Sequence, residues 1–278
     1  MRDKHGVMAT PLYVHGYDEQ ETQRLHDQAD LLRELVHTDT SFPHGSLILE
    51  VGCGVGAQTA LLARTNSHAR IVAIDRSARS LQAAQTHAHA CGLANIDLNQ
   101  ADVLALPFAA ERFDHVFGSF LLEHLSRPLD ALTSIARVMK PHGTVTLVEG
   151  DHGSVVVRPM SDAASQAIAC QAGLQRRAGG DPNVGRQLSA LLESAGFHDI
   201  QVTPLVMRVD GDRRHLAGSV DRTFVRMIDA VRNQAVHAGM ITARAFDAGI
   251  ADLRRAVHDG EFSYTFFKAH ACTTDRRP

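Results

Sequence analysis

The chain has no tryptophan, and only three of its 278 residues are tyrosine. Aromatics make up 5% of the residues, and the set that holds a flipped base, such as an N/D-P-P-Y/F loop, is missing. A basic block is absent too. The formal net charge is −3, so there is no electrostatic footprint for nucleic acid. No apolar run reaches 18 residues, so no membrane span is expected. The first residues carry charges but no apolar core of a signal peptide. The four cysteines, Cys53, Cys91, Cys170 and Cys272, never form C-x-x-C, which fits a reduced, cytoplasmic setting. Seventeen histidines are many, yet none are spaced H-x-x-x-H or H-x-x-E-H. His87 and His89, two apart on a helix, point away from each other. No metal site is expected.

What is present suits a globular α/β protein. The hydrophobic fraction is 44%, and the length allows one large domain or a domain with an appendage. A helix is predicted from Asp18, an N-cap with Glu21 three residues on, to about His37. Strands at 46–51, 70–75, 96–99, 114–118 and 144–149 alternate with helices at 56–66, 77–91 and 128–139. That alternation predicts a parallel sheet with helices on both faces. Helices at 161–177 and 185–195, a strand at 200–203, helical stretches at 218–238 and 243–258, and a last strand at 262–268 complete the pattern.

The densest information lies in Leu47-Ile-Leu-Glu-Val-Gly-Cys-Gly-Val-Gly-Ala-Gln58. It reads as a buried strand, a glycine turn and the start of a helix. Such a turn exposes backbone N–H groups and the positive end of the helix to a crevice. The next strand, Ile71-Val-Ala-Ile74, ends in Asp75, placed to accept both hydroxyls of a ribose. The spacing is G-x-G-x-G, not the G-x-G-x-x-G of dinucleotide sites, and Glu50 precedes it. A carboxylate there repels a pyrophosphate and suits a cationic ligand. This disfavours a nicotinamide oxidoreductase. A sulfonium-bearing nucleoside without phosphate fits better.

The stretch resembles motif I of class I S-adenosylmethionine (SAM)-dependent methyltransferases, E/D-x-G-x-G-x-G. Gln100-Ala-Asp-Val103 resembles the family's adenine-contacting loop. Phe113–Phe117 with Gly118-Ser-Phe-Leu-Leu-Glu-His124 resembles its fourth strand and following loop. Val138-Met-Lys-Pro-His-Gly-Thr144 is similar to its L-K-P-G-G turn, with His142 replacing the first glycine. The whole layout is similar to bacterial small-molecule enzymes of the ubiquinone/menaquinone type. The resemblance implies a Rossmann-like, seven-stranded, mostly parallel sheet with an N-terminal helical cap and a helical lid before the last strand. The implied division is 1–42 cap, 43–204 SAM-binding core, 205–260 lid, and 261–278 last strand and tail. The cofactor would be SAM. It would be bound by Tyr13, Glu50, Gly52, Cys53, Gly54 and Gln58, by Asp75, Arg76, Asp102 and Val103, and by Gly118, Ser119 and His124.

Methyl transfer is an in-line displacement in which the protein aligns nucleophile, methyl and sulfur. An oxygen or nitrogen nucleophile can require a base. Glu149-Gly-Asp-His-Gly153 ends the fifth strand and is the densest polar cluster at that edge. His152 is the first candidate for a base, with Glu149 or Asp151 as its orienter. The alternative is that Asp151 and His152 form a turn. Tyr13, His15 and Tyr17 form an N-terminal cluster, and Tyr17 is a further catalytic candidate. Arg186 reads as a surface residue or an anchor for an acidic substrate. Met207, Phe224, Met227 and Met240 read as helical core or as an apolar pocket wall. The expected activity is methylation of a small, apolar or aromatic metabolite at carbon or oxygen, with no nucleic-acid partner and with a homo-oligomer left open. The alternative is a SAM-binding enzyme that cyclises or rearranges a small molecule without net methyl transfer.

Overall fold

A computed structural model describes residues 15, 16 and 18–274. Tyr13 and Tyr17 lie outside the described residues. Asp18 caps α1 (Glu19–His37) by accepting from the Glu21 N–H at 2.8 Å. The alternating pattern then gives β1 (Leu47–Val51), α2 (Ala57–Thr65), β2 (Arg70–Asp75), α3 (Ala78–Ala90), β3 (Ile96–Gln100), β4 (Phe113–Ser119) and α4 (Pro128–Val138). Next come β5 (Met139–Arg158), α5 (Asp162–Arg177), α6 (Leu188–Ser194) and β6 (His198–Val209). After β6, α7 (Ala217–Val220), a π turn (Asp221–Val225) and α8 (Arg226–Asp229) run on continuously. They are followed by α9 (Arg232–His237), α10 (Ala243–Asp259) and β7 (Glu261–Cys272).

The sheet order is β3-β2-β1-β4-β5-β7-β6. β3 through β5 pair in parallel, and β7 lies antiparallel to both of its neighbours. Strand side chains alternate between faces. Ile48, Ile71 and Ala73 enter the core packed by α1, α2, α5 and α7–α10. Leu49, Val72 and Ile74 enter the core packed by α4 and α6. The strand order reverses between β1 and β4, the place where such sheets open a crevice beyond their carboxyl ends.

Three strands are longer than the sequence pattern predicts, β7 among them, which runs on to Cys272. β5 passes straight through Gly150-Asp-His-Gly153, which could have been a turn. Gly150 and Asp151 pair with Phe266 and Thr265 of β7, while His152 and Gly153 fall in a register break that ends at Val156, where pairing resumes. β6 extends to Val209, so the helical insert begins later than residue 205. His142, where the resembled family has glycine, takes a left-handed φ of 59°, the conformation that glycine favours.

Candidate active site

The turn after β1 is built by left-handed glycines: Gly52, Gly54 and Gly56 have φ of 71°, 52° and 81°. Gly56 also packs where a side chain cannot go, since an added Cβ would stand 2.9 Å from that of Ala84. The turn is held from β2. Asp75 accepts from the Gly54 N–H at 2.9 Å and the Ser77 N–H at 2.8 Å. Burial pushes the Asp75 carboxyl up against these hydrogen bonds. Glu50 is buried, and one of its oxygens has no hydrogen-bond partner. Burial, with the Asp75 charge adding, raises its carboxyl to about 7.

One cavity of about 1350 Å³ starts at this turn. Glu50, Gly52, Cys53, Gly54 and Gln58 line it from the first strand and helix. Asp75, Arg76, Asp102 and Val103 line it from the next two loops, and Ser119 and His124 from the loop after β4. Gln58 is fixed by His37 Nε2 at 2.7 Å. Asp102 is exposed and spends one oxygen on the Leu104 N–H. Cys53 is buried, and burial pushes its thiol far above its ordinary range, so it is an inert filler of the turn. Gly118 does not line the cavity. An added Cβ there would meet Val51 and Leu147 at 3.0 and 3.1 Å, so this glycine lets neighbouring strands pack.

The cavity continues into a second chamber. His152, 7% exposed, forms its polar floor with Glu123, Gln171 and Gln175. His152 Nε2 lies 3.3 Å from Glu123 Oε2. The orienter of His152 is therefore Glu123, a correction to Glu149 and Asp151. Glu149 is fully buried away from the cavity. Its oxygens accept from the Leu121, Leu122 and Glu123 N–H groups at 3.0, 2.8 and 3.3 Å, so it folds the loop after β4. Asp151 instead holds Arg186 through both oxygens, and Arg186 is accordingly neither free nor substrate-facing. Burial opposes charge on Glu123. The His152 hydrogen bond and the charges of His124 and His152 outweigh it and hold the carboxyl at about 2.

Tyr264, on β7, was expected in the last strand but not at the site. It is fully surrounded, lines the chamber, and packs edge-on to His152 with ring centroids 5.5 Å apart. Burial raises its phenol well above the ordinary value. Met207, Phe224, Met227, Phe262 and Phe266 form the apolar wall. Met240 is not among them, because its terminal methyl packs on Gly173 of α5. Gln171 and Gln175 were also missed. Their four-residue spacing on α5 puts both on one face and was the only available signal. Of the N-terminal cluster, His15 is described; it is buried and lines the cavity. Among the described residues no group of three or more His, Cys, Asp or Glu side chains is arranged to hold a metal ion.

The residues present fit a nucleoside bearing cationic groups. The turn has no lysine or arginine for a pyrophosphate, and the unpartnered Glu50 oxygen asks for a donor or a cation. Comparison with known proteins agrees. Residues 49–147 match the family described as "Methyltransferase domain". The ubiquinone biosynthesis O-methyltransferase of Cereibacter sphaeroides strain KD131 is 36% identical over 99 residues, 36% of this chain and 39% of that protein. The match thus spans well under half the length of that relative. A SAM-dependent methyltransferase from Aquifex aeolicus superposes with a TM-score of 0.54 at 16% identity, over 93% of this chain and all of that one. The [4+2]-cyclase SpnF superposes with a TM-score of 0.57 at 24% identity, over 88% and 81%. These two show a shared fold. Residues 49–147 thus match a methyltransferase domain, set in the fold that these solved structures share.

Proposed function

We propose that this chain transfers a methyl group from SAM to a small, apolar or aromatic metabolite. One observation carries the reading: a single cavity joins the glycine turn and Asp75 to an apolar chamber floored by His152. Asp75 and the Gly54 region would hold the ribose, Asp102 and Val103 the adenine, and Glu50, Ser119 and His124 the amino-acid end. When bound, SAM supplies an electrophilic methyl group on a sulfonium. The residues of this chain do the rest. The aromatic and methionine wall excludes water and aligns an apolar acceptor. Glu123 fixes the His152 ring by accepting from Nε2, which leaves Nδ1 as a base for an acceptor hydroxyl. Helices α7–α10, inserted between β6 and β7, serve as the lid over that acceptor.

His152 with Glu123 favours an oxygen acceptor, since a base is of direct use there. The test is incubation with methyl-labelled SAM and a panel of apolar and aromatic alcohols and phenols. The expected result is S-adenosylhomocysteine formed in step with a labelled product. A rearranged product without S-adenosylhomocysteine would establish the cyclisation alternative instead.

A further inference from the structure

A hydrogen-bonded relay crosses the floor of the second chamber. Gln171 Nε2 donates to Gln175 Oε1 at 3.0 Å. Gln175 Nε2 donates to the Glu123 carbonyl at 3.1 Å and to Glu123 Oε2 at 3.3 Å. His152 Nε2 meets the same Glu123 oxygen from the other side. The polarity of the relay is fixed by its centre. An ionised carboxylate only accepts, so Gln175 must turn its amide nitrogen towards Glu123. Its oxygen then faces Gln171, which must answer with nitrogen. By the same rule His152 presents Nε2–H to Glu123. With the His152 ring neutral, the relay therefore ends in two acceptors, Gln171 Oε1 and His152 Nδ1.

Both end atoms are buried and lack a hydrogen-bond partner. Gln171 is completely buried, His152 very nearly so, and both residues line the cavity. Orphaned buried acceptors are costly, and a relay that leaves one at each end is complementary to donors brought in from outside. The surrounding wall is apolar, with Met207, Phe224 and Phe266. Of the arginines that line the cavity, Arg24 holds Glu21 through two hydrogen bonds at 2.7 Å, Arg127 faces Asp130 at 3.0 Å, and Arg76 and Arg79 follow Asp75 at the glycine-turn end.

We infer that the substrate is an uncharged apolar molecule with two hydrogen-bond donors, one a hydroxyl directed at His152 Nδ1 and the other read by Gln171 Oε1. This rests on the methyltransferase reading and adds its substrate class. Gln171 is then a specificity residue, silent towards the cofactor.

The test uses the full chain saturated with S-adenosylhomocysteine and three probes: naphthalene, 2-naphthol and 2,3-dihydroxynaphthalene. Calorimetry gives each affinity. The diol is expected to bind at least tenfold tighter than 2-naphthol, and 2-naphthol tighter than naphthalene. In Gln171→Met, close in size, the gap between diol and mono-ol should close while S-adenosylhomocysteine affinity holds. Should that variant lose S-adenosylhomocysteine binding through misfolding, Gln171→Leu and the wild-type probe series provide the same comparison. Equal affinities for the three probes, or no probe binding at all, would overturn the inference. Failure of S-adenosylhomocysteine itself to bind wild type would instead strike at the cofactor reading beneath it.

Discussion

The hydroxyl of Tyr264 rests against the backbone of Gly150: a Cβ added at 150 would lie 2.5 Å from it. Tyr264 stands two residues from Phe266, the direct partner of Gly150 across the β5–β7 pairing, so its ring reaches Gly150 diagonally. Gly150 is not in a left-handed conformation, so its requirement is purely one of space. Gly150→Ala is expected to displace the Tyr264 ring and narrow the acceptor chamber. Overpacking of this kind costs about 1–3 kcal/mol. Urea unfolding measures that loss, and Gly150→Ala/Tyr264→Phe should recover most of it. No recovery in the double variant would contradict the contact.

The His152–Glu123 pair gives a kinetic prediction. His152→Ala and Glu123→Gln should each lower methyl transfer by about 10²–10⁴-fold if a base is needed. Affinity for S-adenosylhomocysteine should stay within a few-fold of wild type. Equal loss of both would assign the pair to structure. Single-turnover rates beside cofactor titrations separate these outcomes.

Glu50 gives a pH prediction. Its folded carboxyl stands at about 7, above the ordinary 4.5. A raised carboxyl contributes its stability fully below the unfolded value. That contribution is lost as pH rises from 4.5 through 7. The unliganded protein should therefore weaken over that window, and Glu50→Gln should flatten the decline. A cationic group near Glu50 favours the carboxylate, so SAM binding at pH 6–7 should release a proton. Calorimetry in buffers of different ionisation heat detects it; proton uptake would contradict the placement.

Arg186 and Asp151 give a stability prediction. Asp151 is buried and is held by both nitrogens of a half-exposed Arg186. Arg186→Ala removes the guanidinium and leaves that carboxylate accepting from the Gly153 N–H at 3.1 Å. The expected cost is about 1–3 kcal/mol in urea unfolding, with cofactor affinity unchanged. A drop in cofactor affinity would mean that Arg186 serves the site after all.

The glycine turn and its brace from Asp75 were legible because they are local. The glycines, Glu50 and Asp75 sit at strand ends, where hydrophobic runs stop and φ must turn positive. The fold was legible for the same reason, since strand and helix periods alternate along the chain. The acceptor half was not. Glu123 finds His152 across 29 residues, and Tyr264 reaches Gly150 only because β7 inserts between β5 and β6. Glu149 was misassigned for a related reason: a carboxylate at a strand end looks alike whether it meets a ligand or three backbone amides. Gly118 was misassigned because glycine serves close strand packing as readily as ligand approach. Nothing in Gly150-Asp-His-Gly153 itself announces that the strand continues, because the pairing on either side of its register break comes from residues more than a hundred positions later.

The most direct measurement is calorimetric titration of the wild-type chain and Asp75→Ala with SAM and with S-adenosylhomocysteine. Asp75 braces the Gly54 turn and, in the proposed function, would hold the ribose, so the account predicts micromolar-range binding to wild type and its loss in the variant. Absence of binding to wild type, or equal binding to both proteins, would contradict it.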